Sequence, residues 1–323
     1  MNLRDTTRQL IGGLLDGDIT GDAAVGQLGA IELEQLLPSQ LAGAVDAVME
    51  RAIPFPAFPD ALDCCGTGGD GLQMLNISTA AAIVAAACSV RMAKHGNRAV
   101  TSASGSADVL EALGVATQLA PAQSARMLEE IGIAFLFAPS FHPGFAKVAA
   151  VRKAIGRRTI FNLLGPLCNP ARVERQLIGV FAAPFCSLLA ETSALLGRRQ
   201  VMVVHGEDGG DELSISGGSH VAELRDGKVA YAALRPQDAG LAVHPAGALL
   251  GSDAHHNADA LRDVLRGRSS AYADAVILNT AAVLVLAGKA GQLYDGALMA
   301  KNAIALGKAT RKLDELIEAS HAV

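Results

Sequence analysis

Three prolines fall within the seven residues Ile53-Pro-Phe-Pro-Ala-Phe-Pro59. No helix interior or central strand can run through such a segment, because proline fixes φ and carries no N–H. The patterning of the chain changes across it. Before it, apolar residues recur only at helical spacing: Leu10, Leu14 and Leu15, then Leu33, Leu36 and Leu37, then Leu41, Val45 and Val48. Pro38 stands where the first turn of a new helix tolerates proline. The spacing predicts three or four short helices over the first 53 residues, with the proline connector as a domain boundary.

After the connector, short apolar runs alternate with helix-length segments, the pattern of an α/β fold with a mostly parallel sheet. Strands are predicted at 61–65, 90–95, 133–138, 200–205 and 221–225, and helices at 79–89, 106–113 and 121–131. Residues 139–200 read as further helices around an irregular piece at 162–170. Leu224-Arg-Asp-Gly-Lys-Val229 carries hairpin turn chemistry, and the chain from Ala254 onward reads as three or four Ala-rich helices.

Composition narrows the function. Half the residues are hydrophobic but only 4% are aromatic, so the apolar mass is aliphatic and suits helices packed on a sheet better than a β-sandwich or barrel. A net charge of −5 leaves no basic face for a nucleic-acid backbone, so a polyanionic ligand needs its positive partners gathered locally or supplied by a metal. Five cysteines, two adjacent (Cys64, Cys65) and none in CxxC spacing, make neither a disulfide framework nor a zinc site, and read as reduced thiols. The first residues hold no apolar signal region, and the longest apolar stretches fall short of the ~18–20 residues that span a bilayer. The expectation is a soluble cytoplasmic protein with neither membrane nor nucleic acid as partner.

Four segments carry chemistry. Gly66-Thr-Gly-Gly-Asp-Gly71 follows the first predicted strand, and Asn76-Ile-Ser-Thr79 opens an Ala-rich helix just beyond. Glycines let backbone approach a ligand, and a helix amino terminus offers unpaired N–H groups to a phosphate. The spacing is that of neither a Walker loop nor a dinucleotide fingerprint, and a capped strand-to-helix turn is the plain alternative. Lys94-His-Gly-Asn-Arg98 sits at the carboxyl end of the second strand, where open α/β sheets bind ligands, followed by the Ser/Gly nest 101–106 at another helix start. His205-Gly-Glu-Asp-Gly-Gly-Asp-Glu212 crowds four carboxylates after a strand, a donor set for a hard divalent cation or else an exposed acidic turn. Phe141-His-Pro143 with Val151-Arg-Lys-Ala-Ile-Gly-Arg-Arg158 places a histidine near an Arg/Lys cluster suited to a carboxylate, or to a solvated helix face.

Together, Gly66-Thr-Gly-Gly-Asp70, Asn76-Ile-Ser-Thr79, Lys94-His-Gly-Asn-Arg98, Ser104-Gly-Ser106, Arg158-Thr-Ile-Phe-Asn-Leu-Leu-Gly-Pro-Leu-Cys-Asn-Pro170 and His205-Gly-Glu207 resemble the anthranilate phosphoribosyltransferase family, in order and approximate spacing. The resemblance covers about residues 60–215. It implies a small helical domain (1–58, completed by about 165–185) hinged to a larger α/β domain (59–164 and 186–323) with a mostly parallel central sheet and helices on both sides. It also implies a homodimer formed through the small domains.

The implied reaction is attack of the anthranilate amine on C1 of phosphoribosyl pyrophosphate (PRPP), releasing pyrophosphate with Mg²⁺ present, in tryptophan biosynthesis. Carried over by motif, Gly66, Thr67, Gly68, Gly69, Asp70, Asn76, Ser78, Thr79, Lys94 and Ser106 bind PRPP. Ser78, Asp211 and Glu212 hold magnesium, while His95, Asn97, His142, Arg158 and Gly165 line the anthranilate path. Lys94, Arg158, His95 and His142 are the residues expected at the chemistry, with Arg158 as partner of the substrate carboxylate. The chain departs from the family pattern at Cys64-Cys65, Met74-Leu75, Gly144-Phe145, Cys168 and Gly210, none of them an expected phosphate or metal ligand. Rival readings are a pyrimidine nucleoside phosphorylase-like enzyme and a non-catalytic paralogue of the same fold.

Overall fold

A computed structural model describes residues 2–99 and 103–322. Thr101 and Ser102, part of the expected nest at 101–106, lie outside the described residues. The chain opens with α1 (Leu3–Asp16), α2 (Gly21–Gly29) and α3 (Pro38–Glu50). The Asn2 side chain caps α1, Gly17 ends it with φ 82°, and Pro38 stands in the first turn of α3. The proline segment then runs extended to β1 (Leu62–Gly66).

The α/β part continues through α4 (Ile77–Ala87), β2 (Met92–Gly96), α5 (Ser106–Ala112), α6 (Pro121–Glu130) and β3 (Ile133–Phe137). Then come α7 (Ala138–Phe141), α8 (Phe145–Ile155), α9 (Phe161–Leu167), β4 (Arg175–Gly179), α10 (Pro184–Leu195) and β5 (Gln200–Gly206). The hairpin β6 (Ser219–Arg225) and β7 (Lys228–Leu234) turns at Asp226-Gly227, where both residues take positive φ as the Asp-Gly pair predicts. Four helices close the chain: α11 (Ala254–Leu265), α12 (Ala271–Leu286), α13 (Leu293–Ala305) and α14 (Lys308–His321).

The strands form one seven-stranded sheet in the order β3-β2-β1-β4-β5-β6-β7, parallel as far as β5 and antiparallel in the last two pairings. Strand periodicity divides the core. Leu177, Met202 and Val204 face a cluster shared with α4, α12 and α14, while Ile178, Val201, Val203, Ala222 and Leu224 face the amino-terminal helices and α10.

Two expectations are corrected here. β4 has no predicted counterpart, and it falls inside 165–185, the segment expected to complete the helical unit. β4 instead lies between β1 and β5 at the centre of the sheet, and the helices that pack against α1–α3 are α8, α9 and α10. The strand is hard to read because Gln176 is fully buried, its amide nitrogen bonded to Pro166 O at 2.7 Å, so apolar alternation is broken by a satisfied polar residue. The piece at 162–170, expected to be irregular, contains most of α9, which accommodates Pro166 inside a short helix.

Candidate active site

The carboxyl ends of β1, β2 and β3 open into a cavity of about 560 Å³, closed on the far side by α8 and α9. Gly66, Thr67, Gly68, Gly69, Ser78 and Lys94 line one half, with Asn97 and Ser106 nearby. His142, Phe145, Arg152, Phe161 and Cys168 line the other, with His95 and Gly165 between.

On the glycine-loop side, Gly68 and Gly69 have φ of 62° and 73°, which side chains with a Cβ rarely adopt. A different demand falls on Gly66 and Gly179, paired neighbours at the ends of β1 and β4: a Cβ on either would run into Asp211. Their bareness lets the loop after β5 lie directly across the strand ends. Asp211 Oδ2 thereby accepts from Gly68 N at 2.7 Å, and Glu212 Oε1 accepts from Ser78 N at 3.1 Å at the start of α4. Desolvation, followed by repulsion from Asp70 on Asp211 and from Asp211 on Glu212, pushes the two carboxyl groups up, to about 6 and about 8. Lys94 is also buried; its Nζ donates to Cys64 O at 2.8 Å and lies 3.3 Å from Ser78 Oγ.

Beside the aromatic residues, two histidines meet edge to face with ring centres 5.4 Å apart. His95 Nδ1 lies 3.1 Å from Gly165 O and His142 Nε2 lies 2.8 Å from Cys168 O. A carbonyl only accepts, so each of these ring nitrogens carries the proton. His95 Nε2 and His142 Nδ1 are therefore lone pairs, buried and without a partner among the described residues. Burial lowers the two pKa values to about 3 and about 4, so both rings are neutral at pH 7.

Arg152 projects from α8 on the same side as Phe145, two turns earlier, and stacks over Phe161 with 5.7 Å to the ring centre. It has no ion pair among the described residues, and burial lowers its pKa. Arg158, the cation expected to face the substrate carboxylate, is not in the cavity lining. Its side chain is exposed, donates to Gly69 O and lies over Phe181 at 4.1 Å. The repeated arginines of 151–158 look alike in sequence; the register of α8, which ends at Gly156 with φ 69°, separates the one that turns inward.

The other expected residues are near the cavity but not in its wall. Asp70 Oδ1 accepts from Leu72 N at 2.9 Å, Thr79 Oγ1 donates to Ser106 Oγ at 3.2 Å, and Asn76 Nδ2 donates to Ser104 O at 3.1 Å. Sequence reasoning passes over Arg152, Phe161 and Cys65 as lining residues. Phe145 and Arg152 share a helix face seven residues apart, a signal present in the sequence.

The mostly parallel sheet carries a glycine-rich loop at its strand ends with carboxyl groups brought over it, an arrangement suited to holding a phosphorylated substrate. Residues 58–310 match the glycosyl transferase family, a/b domain. Anthranilate phosphoribosyltransferases of Rhodopseudomonas palustris (strain TIE-1) and Novosphingobium aromaticivorans are 46% and 44% identical, over 95% and 93% of this chain and 92% and 91% of theirs. The crystal structure of anthranilate phosphoribosyltransferase (TrpD) from Thermus thermophilus superposes with a TM-score of 0.93 at 39% identity, covering 99% of this chain and 96% of that one. The Saccharomyces cerevisiae enzyme in complex with PRPP and Mg gives 0.87 at 28% identity, covering 99% and 93%. The chain belongs to the anthranilate phosphoribosyltransferase family.

Proposed function

We propose that this chain transfers the phosphoribosyl group of PRPP to the amine of anthranilate, releasing pyrophosphate, as a magnesium-dependent pentosyltransferase of tryptophan biosynthesis. The observation that carries the reading is the division of one cavity into a glycine-loop half backed by carboxylates and an aromatic half holding an arginine with no ion pair among the described residues. PRPP fits the first, with its phosphates on the amino end of α4 and the N–H groups of the loop. Anthranilate fits the second, its ring between Phe145 and Phe161 and its carboxylate on the Arg152 fork.

As the C–O bond to pyrophosphate breaks, positive charge builds on the ribose and negative charge on the leaving group. Catalysis is then chiefly positional and electrostatic. Two part-buried carboxyl groups, pushed toward protonation by desolvation and then by crowding, suit a hard divalent cation, which takes one or two carboxylates and completes its shell with water and phosphate oxygens. Asp211, Glu212 and Ser78 would hold it, and bound magnesium supplies neutralising charge to the pyrophosphate. Lys94 adds a positive charge beside Ser78. The neutral rings of His95 and His142 form part of the wall against which the aryl amine would lie. An aryl amine is already a nucleophile, and neutral rings with such low pKa values orient it rather than store its proton.

The chain also fits a cytoplasmic homodimer; no helix among the described residues is long and apolar enough to cross a membrane. Leu3, Leu37 and Leu195 are each about half exposed and lie where α1, α3 and α10 meet, with Arg4 Nη1 donating to Leu195 O at 3.3 Å and Thr192 Oγ1 to Pro38 O at 3.5 Å. That apolar surface suits a second copy of the small helical unit. The activity is tested by the fluorescence of phosphoribosyl-anthranilate formation from PRPP, anthranilate and magnesium, beside phosphate-dependent cleavage of thymidine. Turnover is expected in the first assay only; turnover in the second alone would replace this reading with a nucleoside phosphorylase.

A further inference from the structure

We infer that Asn257, on α11 and outside every motif described above, is a positioning residue for the phosphate-binding half of the site, acting through Asn76. The inference rests on the reading of that half as the PRPP site. Asn257 is 1% exposed, and both ends of its amide are committed. Its Oδ1 accepts from Ser252 N at 2.9 Å, and its Nδ2 donates to Asn76 Oδ1 at 3.0 Å. Asn76 Nδ2 in turn donates to Ser104 O at 3.1 Å, and Asn76 O accepts from the buried Tyr272 hydroxyl at 3.0 Å.

The relay therefore sets which way the Asn76 amide faces, and Asn76 immediately precedes α4, whose first turn carries Ser78. It also ties that helix start to residue 104, beside Ser106 across the cavity. The segment that carries the relay is laced to the phosphate loop independently: Leu75 N donates to Leu249 O at 2.9 Å and Gly251 N donates to Gln73 O at 2.7 Å. Gly251 permits the approach, since a Cβ there would stand 2.8 Å from Asn257 Oδ1 and 3.0 Å from Leu75 N. Only an amide serves at 257, because one end must accept from backbone while the other donates to Asn76. An aspartate would set an acceptor against Asn76 Oδ1, and an apolar residue would orphan two buried polar groups.

The test is calorimetric titration of the full chain with PRPP and magnesium, with KM for each substrate and kcat, for wild type, Asn257→Asp, Asn257→Ala and Tyr272→Phe. Asn257→Asp keeps the acceptor for Ser252 N while replacing the donor to Asn76 with an ionisable acceptor, so it remains informative where Asn257→Ala does not fold. It is expected to weaken PRPP binding roughly tenfold, as loss of one buried hydrogen bond does, with KM for PRPP rising in step and KM for anthranilate unchanged. Tyr272→Phe is expected to move the same way by less. Adding Asn257→Asp to Asn76→Ala should cost nothing further, because the relay is already cut. A merely structural residue would lower the melting midpoint yet leave PRPP affinity intact well below it. That outcome, or full additivity of the two substitutions, overturns the inference. Failure of the wild type to bind PRPP overturns instead the functional reading on which it stands.

Discussion

Arg152→Ala separates the two halves of the cavity most sharply. Arg152 is half-buried, lines the aromatic half, stacks on Phe161 and has no ion pair among the described residues. Truncating one partner of a desolvated charge pair costs about 2–5 kcal/mol, and partial solvent access at Arg152 places the expected loss near the lower end, about 2–3 kcal/mol. That is a rise of roughly 30- to 150-fold in KM for anthranilate. KM for PRPP should barely move, because the phosphate half owes nothing to α8. Arg152→Lys should recover part of the loss, since an ammonium keeps the charge without the fork. Arg158→Ala supplies the contrast: its guanidinium holds Gly69 O in the glycine loop, so it should weaken PRPP and spare anthranilate. Steady-state fluorescence with each substrate varied in turn gives both constants. Equal losses for both substrates in the Arg152 variant, or a selective anthranilate defect in the Arg158 variant, would refute the assignment and return the carboxylate to Arg158.

Asp211→Asn combined with Glu212→Gln should remove on the order of a hundredfold or more of magnesium-dependent turnover; near-normal activity at limiting magnesium would dismiss these two as metal ligands. The histidine pair makes stability depend on acid. Folded-state values of about 3 and about 4 lie below the ordinary value of 6.5, so the unfolded chain binds more protons between them. Stability should therefore be full above pH ~6.5 and fall by about 1.4 kcal/mol per histidine for each unit below it. Denaturant melts from pH 7 to 5 that are steeper in wild type than in His95→Gln would agree; a flat wild-type series would not. Leu37→Asp with Leu195→Asp should convert a dimer to monomer in sedimentation equilibrium, and a dimer that survives both places the interface elsewhere.

The fold was legible where periodicity is clean. Buried runs such as Ile133–Phe137 and the hairpin at Asp226-Gly227 announce themselves, and the helical amino terminus follows from leucine spacing. β4 was not legible, because Gln176 is polar by type and buried only through bonds to Pro166 and Asp63, partners that no local pattern reveals. The site divides similarly. Residues that line the cavity with their backbone, Gly66 to Gly69 and the start of α4, declare themselves by type and order. Those that act through a side-chain direction do not: Arg152 and Arg158 differ only in which way they turn. Asn257 lies 181 positions from Asn76 and is joined to it by fold alone.

The cations around the cavity explain why an acidic chain can bind a polyanion and an aromatic acid side by side. Arg98 is engaged with Asp108 and Glu111, Arg158 with Gly69 O, and Lys94 with Cys64 O, while Arg152, in the aromatic half, has no ion pair among the described residues. The phosphate half, by contrast, sets one lysine beside two part-buried carboxyl groups held toward protonation, and a divalent cation would draw off those protons and supply the positive charge that a polyanion needs. The two substrates should therefore differ in metal dependence. Chelating magnesium should abolish calorimetric binding of PRPP to the free protein while leaving that of anthranilate intact, since the charge partner proposed for anthranilate is Arg152. If anthranilate binding also vanishes with the metal, the aromatic half is not an independent site, and the acid binds only against a donor already in place.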